Sequence, residues 1–413
     1  MATKAETAIA PGYSAEQIVE LEFLEAVRRR PGMYIGNNAA HGLHHLLLEV
    51  LDNAVDEAIA GHATRIRVTL AADGTATVED DGRGIPVEWQ PEAGMSALTQ
   101  VLGRTHAGGK FGGDGAAYST SGGLHGIGLK CTNAFSEFLE VEVRRHGLVF
   151  RQRFVDGGVA DTPVEIIDSR GRAVGAVDGR TTWVTGRKAG APATHLRVGR
   201  KKVAVEADPA LGSGTTLRFR PRRGWFSREM DWPTPDRHVP WEGERLADRF
   251  RQIAHLYPGV RIEFADLRGE RPRQETYYSE RGLEDYIAYL TEDLKPLHAP
   301  VVFADRAEVP ATDGCGGEAE VRTEVALQYA GEDTQIYSFV NGIPTPLGGT
   351  HVSAFKAGLS RALRQFATGR RLLKEGDDLR SDDTLLGLTA VISVTMSCTP
   401  QFLSQTKECL NSP

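Results

Sequence analysis

The chain has 413 residues, 40% hydrophobic and 25% charged, with a formal net charge of -7. That is size enough for two or three domains with cores of their own, and the overall charge gives no case for nucleic-acid binding by the molecule as a whole. The four cysteines, Cys131, Cys315, Cys398 and Cys409, form no C-x-x-C pair, which argues against a zinc site or a disulfide framework and suits a reducing cytoplasm. The first residues lack the apolar core of a signal peptide and no run is long enough to span a bilayer, so a cytoplasmic protein with no membrane contact is expected.

In chain order, residues 1–12 are small and polar and end in Pro11 and Gly12, which predicts a flexible arm. Ser14 to Gln17 is a capping-box pattern, and Ile18, Leu21, Leu24 and Val27 recur at helical spacing until Arg30, Pro31 and Gly32 end the helix. Leu43 to Gly61 reads as one helix with two faces. At about 100° per residue, Leu47, Leu51, Ala54 and Ala58 fall on one side, and Glu49, Asn53 and Asp56 within roughly 60° on the other. Taken alone such a polar face is a solvated one; the stretches after it suggest chemistry. Thr64 to Leu70, an Ala-Ala-Asp-Gly turn and Thr75 to Glu79 give a hairpin signal that delivers Asp80 to the loop EDDGRGIP, Glu79 to Pro86. A carboxylate held there can accept a hydrogen bond from an adenine 6-amino group, which guanine lacks, although DDG alone is as well a simple turn.

Gly103 to Gly128 is the most glycine-rich part of the chain. It is not a P-loop, since Phe111 follows Gly109 and Lys110 at the wrong spacing. Its glycines between two helical patterns predict a mobile lid. Lys110 is either a phosphate partner or a solvated lysine. In SGGLHGIG, Ser121 to Gly128, successive backbone N–H groups can wrap a triphosphate without any side chain. Leu139 to Val143 and Leu148 to Phe154 read as strands around Arg145. The Gly-, Arg- and Val-rich stretch from about Asp156 to Leu211 reads as an enlarged loop, of a length that is usually functional or disordered. Ser213 to Phe219 is a strand. Arg218, Arg220, Arg222 and Arg223 alternate and then cluster, as on a solvated strand edge or in a nucleic-acid groove. Trp225, Trp232 and Trp241 fall in a Pro-rich connection that reads as a second enlarged loop. A helix at Leu246 to Leu256, a strand at Val260 to Phe264 and a helix at Leu283 to Leu294 close a first domain near Lys295 and Pro296. The segment from Val301 to Pro413 mixes strands at Glu324 to Tyr329, Gln335 to Val340 and Leu388 to Thr395 with a helix around Val352 to Phe366.

Together, Glu49-x-x-x-Asn53, Asp80-x-Gly82-x-Gly84 and the run Gly122 to Gly128 resemble the three boxes of the GHKL ATPases. Their spelling, with RPGMYIG at Arg30 to Gly36 and QTK at Gln405 to Lys407, is similar to that of the DNA gyrase B family and its topoisomerase IV relatives. The resemblance covers about Tyr13 to Pro413 apart from the two enlarged loops. It implies an α+β fold: a two-layer GHKL (Bergerat) ATPase sandwich over residues 13–296, then a transducer domain of ribosomal-protein-S5-domain-2-like fold over 297–413. That second domain is expected to be C-terminally truncated, without the helices that follow QTK in relatives or a metal-binding cleavage domain, so the chain alone should not cut DNA.

The resemblance further implies ATP as substrate and Mg2+ as cofactor. Glu49 would orient and deprotonate the attacking water, with His45 holding Glu49, and Asn53 would ligate the metal. Asp56, Asp80, Gly84, Ile85, Pro86 and Thr215 would surround the nucleoside. Lys110 and the backbone of Gly122, Gly123, Leu124, His125, Gly126, Ile127 and Gly128 would hold the phosphates, and Gln405 and Lys407 would sense the γ-phosphate. Arg145 would stand at the pocket mouth, and Tyr13 and Ile18 in an arm that reaches a second protomer. The implied partners are a second copy joined on ATP binding to form an N-gate clamp for strand passage and supercoiling, DNA, and a gyrase A-type cleavage protein. A nucleotide-dependent dimerising module that hydrolyses little stays open as a rival. A GHKL chaperone or histidine kinase is disfavoured by RPGMYIG and QTK. Gyrase and topoisomerase IV are not separable here, because DNA wrapping belongs to a partner protein.

Overall fold

Alternation of side chains organises the first domain. In the strands Arg65–Leu70 and Ala76–Asp80, Ile66, Val68, Leu70, Ala76, Val78 and Asp80 are buried while their neighbours face outward. The antiparallel register sets Ile66 opposite Asp80 and Val68 opposite Val78, so a carboxylate occupies the last inward position of an otherwise apolar row. The computed structural model describes residues 23–104, 126–186, 191–232, 239–311, 317–373, 379–404 and 407–412. This strand pair lies within a ten-stranded sheet. Its order is Arg273–Tyr277, Arg261–Asp266, Arg65–Leu70, Ala76–Asp80, Gly214–Pro221, Ser136–Arg145, Leu148–Val155, Glu165–Ile167 and Ala173–Ala176, with Val159–Ala160 as a further partner of Leu148–Val155. Among the described residues only the pairing of Arg65–Leu70 with Arg261–Asp266 is parallel within it.

The helices are α1 Phe23–Arg29, α2 Ala40–Ile59, α3 Ala97–Gly103, α4 Gly128–Ala134, α5 Gly243–Leu256, α6 Leu283–Leu290 and α7 Thr350–Gly369. In α2, Leu43, Leu46, Leu47, Val50, Leu51 and Ala54 are all buried and share one core with Val68, Val78, Val141 and Phe219 of the sheet and Phe250 of α5. The result is the two-layer arrangement expected from the sequence, helices against one sheet. A second sheet, in the order Val301–Pro310, Glu318–Tyr329, Leu388–Met396, Gln335–Val340 and Ile343–Pro344, packs its own core with Val352, Phe355 and Leu359 of α7. The two bodies meet in a small apolar cluster in which Leu283, Tyr286 and Ile287 of α6 contact Ala326, Phe339 and Val391.

Trp232 and Trp241 lie in the connection before α5, as the sequence suggested, but both are buried, Trp232 against Phe226 and Trp241 edge-on to His44 and Phe219. One reading of the sequence is corrected: the stretch 156–211 is not a loop. Its described residues hold six short strands, three of which extend the main sheet, while Thr181–Thr185, Ala193–Val198 and Lys201–Ala204 form a separate antiparallel sheet. Trp183, Leu196 and Val203 line the inner face of that small sheet and join the first domain's core. The helix from Leu283 ends at Leu290, earlier than the sequence suggested, where the Thr291 hydroxyl donates back to the Ile287 carbonyl at 2.8 Å. Among the described residues no helix is long and apolar enough to cross a membrane.

Candidate functional site

The site is built outward from α2. Its polar face is covered rather than solvated: Asp56 is buried, and Glu49 and Asn53 are half-buried. His45 Nε2 lies 3.1 Å from Glu49 Oε1, one turn along the helix. Burial disfavours the imidazolium, but the hydrogen bond and charge of Glu49 outweigh it, so His45 protonates above its ordinary pKa. Asn53 Nδ2 donates to the Glu49 carbonyl at 2.6 Å, which presents its Oδ1 edge on the other side of the amide. Asp52, on the same helix, is pushed up by burial and pulled back by Arg249, whose Nη2 stands 3.3 Å from Asp52 Oδ1.

The loop after the Ala76–Asp80 strand is tied to this helix. Glu57 of α2 receives the Arg83 backbone N–H at 2.8 Å, with Arg83 Nη2 at 2.8 Å on its other oxygen. Gly82 is required there, because a Cβ would lie 2.8 Å from Glu57 Cβ and 2.9 Å from Asp80 Oδ1. Asp80 Oδ1 accepts from the N–H groups of Gly82 at 2.9 Å and Thr215 at 3.3 Å, and Oδ2 has no hydrogen-bond partner among the described residues. Burial pushes the Asp80 carboxyl up to about 7 against those two hydrogen bonds. Thr215 Oγ1 accepts from Ile85 N–H at 3.3 Å, and Gly84 takes φ 78 with Val143 and Arg145 closing on its α-carbon. Asp80, Gly84, Ile85 and Thr215 therefore form one continuous wall, which Pro86 follows.

The glycine turn meets α2 from the other side. A Cβ on Gly128 would collide with Glu49 Oε2 and lie 2.6 Å from Glu49 Cδ, so the glycine is what allows backbone this close to the carboxylate. Gly126 has φ 58, and its carbonyl accepts from Lys130 Nζ. Lys130 is fully buried. Arg145 stands at the end of the Ser136–Arg145 strand with Nη1 3.9 Å from Glu88 Oε1. Lys407, at φ 60 in the last loop, is near enough for its charge to oppose protonation of His45 and to favour ionisation of Asp52. Tyr13, Ile18, Lys110, Gly122, Gly123, Leu124, His125 and Gln405 lie outside the described residues. Sequence reasoning missed the Glu57–Arg83 tie, the Asp52–Arg249 pair and Lys130. Glu57 and Arg83 were visible at the ends of two motifs, but nothing in a lone lysine within an apolar run distinguishes a buried one.

Two protein-family models match the chain: one described as DNA gyrase B over residues 282–413, the other as histidine kinase-, DNA gyrase B-, and HSP90-like ATPase over residues 38–223. In sequence the chain is similar to the DNA gyrase B protein of Thermotoga maritima, 41% identical over 402 residues, which is 97% of this chain and 54% of that protein. It is similar also to the DNA gyrase B protein of Synechocystis sp., 40% identical over 406 residues, 97% of this chain and 32% of that protein. The chain thus spans about half the length of the first relative and a third of the second. Among solved structures it is similar to the 43K ATPase domain of Thermus thermophilus gyrase B, determined with an aminocoumarin, at TM-score 0.66 and 31% identity over 95% of this chain and 85% of that one. The topoisomerase IV ATP-binding domain of Francisella tularensis, determined with a small-molecule inhibitor, matches at TM-score 0.62 and 27% identity over 94% and 86%.

Proposed function

Since this chain belongs to the DNA gyrase B family and comprises its ATPase region, we propose that it binds ATP with Mg2+ and hydrolyses it to drive a dimeric clamp on DNA. The observation that carries this reading is that one helix touches both other boxes: Glu49 of α2 abuts Gly128, and Glu57 of α2 holds Arg83 beside Asp80. Adenine recognition and phosphate chemistry are thereby set at a fixed separation by a single rigid element.

In this mechanism Asp80 Oδ2 accepts from the adenine 6-amino group, with Gly84, Ile85, Pro86 and Thr215 packed around the base and Asp56 buried beneath it. Backbone N–H groups of the run from Gly122 to Gly128 hold the phosphates, with Lys110 adding charge. Glu49 receives a proton from a water as its oxygen bonds to the γ-phosphorus, and the bond from that phosphorus to the bridging oxygen breaks with its electrons leaving on ADP. His45, with Nε2 3.1 Å from Glu49 Oε1, keeps the carboxylate in place. Asn53 Oδ1 is the protein oxygen suited to hold Mg2+, and the ion would supply charge neutralisation at the phosphates. Gln405 and Lys407 contact the γ-phosphate, Arg145 guards the pocket mouth, and Tyr13 and Ile18 belong to an arm that embraces a second copy. DNA and a gyrase A-type cleavage protein complete the assembly, in the cytoplasm.

The test is the steady-state ATPase rate against protein concentration, for the chain and for Glu49→Ala. A rate per protomer that rises with concentration and vanishes in the variant, with ATP affinity held within a few-fold, is expected. Turnover surviving in the variant would remove Glu49 as the base. A flat, negligible rate despite ATP binding would favour a nucleotide-dependent dimerising module.

A further inference from the structure

The small sheet formed by Thr181–Thr185, Ala193–Val198 and Lys201–Ala204 has two unlike faces. Its inner face carries Trp183, Leu196 and Val203, with Leu196 fully buried beside Gly175. The outer face follows from the registers Thr182↔Arg197 and Arg197↔Lys202, which put Thr182, Arg197 and Lys202 in one row across three strands, all exposed. Arg200 and Lys201 are exposed at the turn beside them, and the Arg180 carbonyl accepts from Gly199 N–H, bringing a further exposed arginine to that tip.

Among the described residues no carboxylate neutralises this group. None of Arg180, Arg197, Arg200, Lys201 and Lys202 makes a side-chain ion pair or hydrogen bond there. The neighbouring acids are committed elsewhere: Asp178 Oδ1 accepts from the Arg180 and Thr181 N–H groups, and Glu206 pairs with Arg170. The contrast with the main sheet is sharp in chemical terms. Its Arg67, Arg218, Arg220 and Arg222 each meet a carboxylate, at Glu263, Glu140, Glu137 and Asp156, and its exposed Arg153 and Arg261 lie over the rings of Phe138 and Tyr278, whereas exposed Arg65 stands singly rather than in a row. Like charges directly opposite on neighbouring strands repel. On a chain of net charge -7, a row of such cations with nothing to balance it is arranged for an anionic partner.

We propose that the outer face and tip of this small sheet contact the sugar-phosphate backbone of duplex DNA, through Arg180, Arg197, Arg200, Lys201 and Lys202. The proposal deepens the reading given above, in which DNA is a partner, and rests on it. Cations clustered at the tip end of this face, beyond the row Val184, His195 and Ala204, suit contacts to phosphates, which contribute position and affinity without reading sequence.

The experiment is anisotropy of a labelled random-sequence duplex against salt concentration, with the full chain and a non-hydrolysable ATP analogue. Arg197→Ala with Lys202→Ala is expected to weaken binding by roughly tenfold or more near physiological salt and to reduce the slope of log affinity on log salt by about two. ATP turnover without DNA should be unchanged, which reports an intact fold. Removing two cations that have partners, Arg218→Ala with Arg281→Ala, is expected to leave affinity and slope as they were. Equal losses in both double variants would reduce the effect to net charge and overturn the proposal. So would a first variant that binds DNA normally, including one that loses only a polyglutamate peptide and so assigns the face to an acidic protein. If the unaltered chain bound no DNA at any salt concentration, the reading of DNA as partner would itself have failed.

Discussion

Asp80 shows how a single residue's chemistry is set by where a strand ends. It sits at the last inward position of the Ala76–Asp80 strand, where its neighbours in the row are apolar, so burial raises its pKa to about 7. The sign of the linkage follows. An unfolded aspartate titrates near 4, so between about 4 and 7 the folded chain holds a proton that the unfolded chain does not. The stability from this group is therefore full below about 4 and is lost as pH rises toward 7. The proposed contact with adenine runs the other way, because an amino group needs an acceptor and favours the ionised form. Binding of ATP near pH 7 is expected to release protons, visible as a dependence of the calorimetric enthalpy on the buffer's ionisation enthalpy. Asp80→Asn should abolish that dependence and weaken ATP by roughly ten- to a hundredfold, the worth of about 1.5–3 kcal/mol for a hydrogen bond to a charged group. Proton release that persists in the variant would move the titration to another group. The hairpin signal and the glycine loop after it pointed to this residue in the sequence, as the first of the loop, whereas it is the last of the strand. Lys130 was not legible there, since its burial depends on how α4 packs and its carbonyl partner, Gly126, lies outside the helix.

At the scale of elements, long periodic segments were readable and short ones were not. The α2 pattern holds for twenty residues, Ala40–Ile59, and fixes both a core stripe and a polar stripe. The stretch 156–211 breaks into strands of two to six residues with a register shift between Val184 and Thr185, too short and irregular for a period to show. Its tryptophan and leucine find their core only across the chain: Trp183 packs on Phe150 at 4.9 Å between ring centroids, and the Ala193 N–H donates to the His146 carbonyl at 2.7 Å. The hairpin bearing Arg145 is thus braced by a segment that sequence alone read as a loop. Leu196→Ala is expected to cost about 2–5 kcal/mol, as for a leucine removed from a packed core, and to lower the urea midpoint of the first domain in a single transition. An unchanged midpoint would mean that the small sheet folds independently of the main one.

The whole molecule poses a question of coupling, because the last loop is anchored in one body and acts on the other. Leu347 N–H donates to the Glu408 carbonyl at 3.0 Å and Leu410 N–H to the Gly348 carbonyl at 3.0 Å, which fastens the loop to the second domain. From there the charge of Lys407 reaches His45 and Asp52, and that of Glu408 reaches His41, all on α2. A second tie runs alongside: Gly342, at φ 76, lies so close to Tyr257 that a Cβ would collide with the phenol oxygen and lie 3.1 Å from Cζ. Charges of the second domain's last loop thus act on side chains of α2 in the first domain. Lys407 holds the His45 pKa down against the pull of Glu49, so Lys407→Ala should raise it, which an NMR titration of the ring without nucleotide would read. If Lys407 contacts the γ-phosphate as proposed, the same variant should lose at least roughly tenfold in turnover, the worth of one charge-assisted contact, while ATP affinity falls less. A His45 titration identical in the two proteins would place Lys407 away from α2 in solution, and the coupling would then have to form only after ATP draws the loop in.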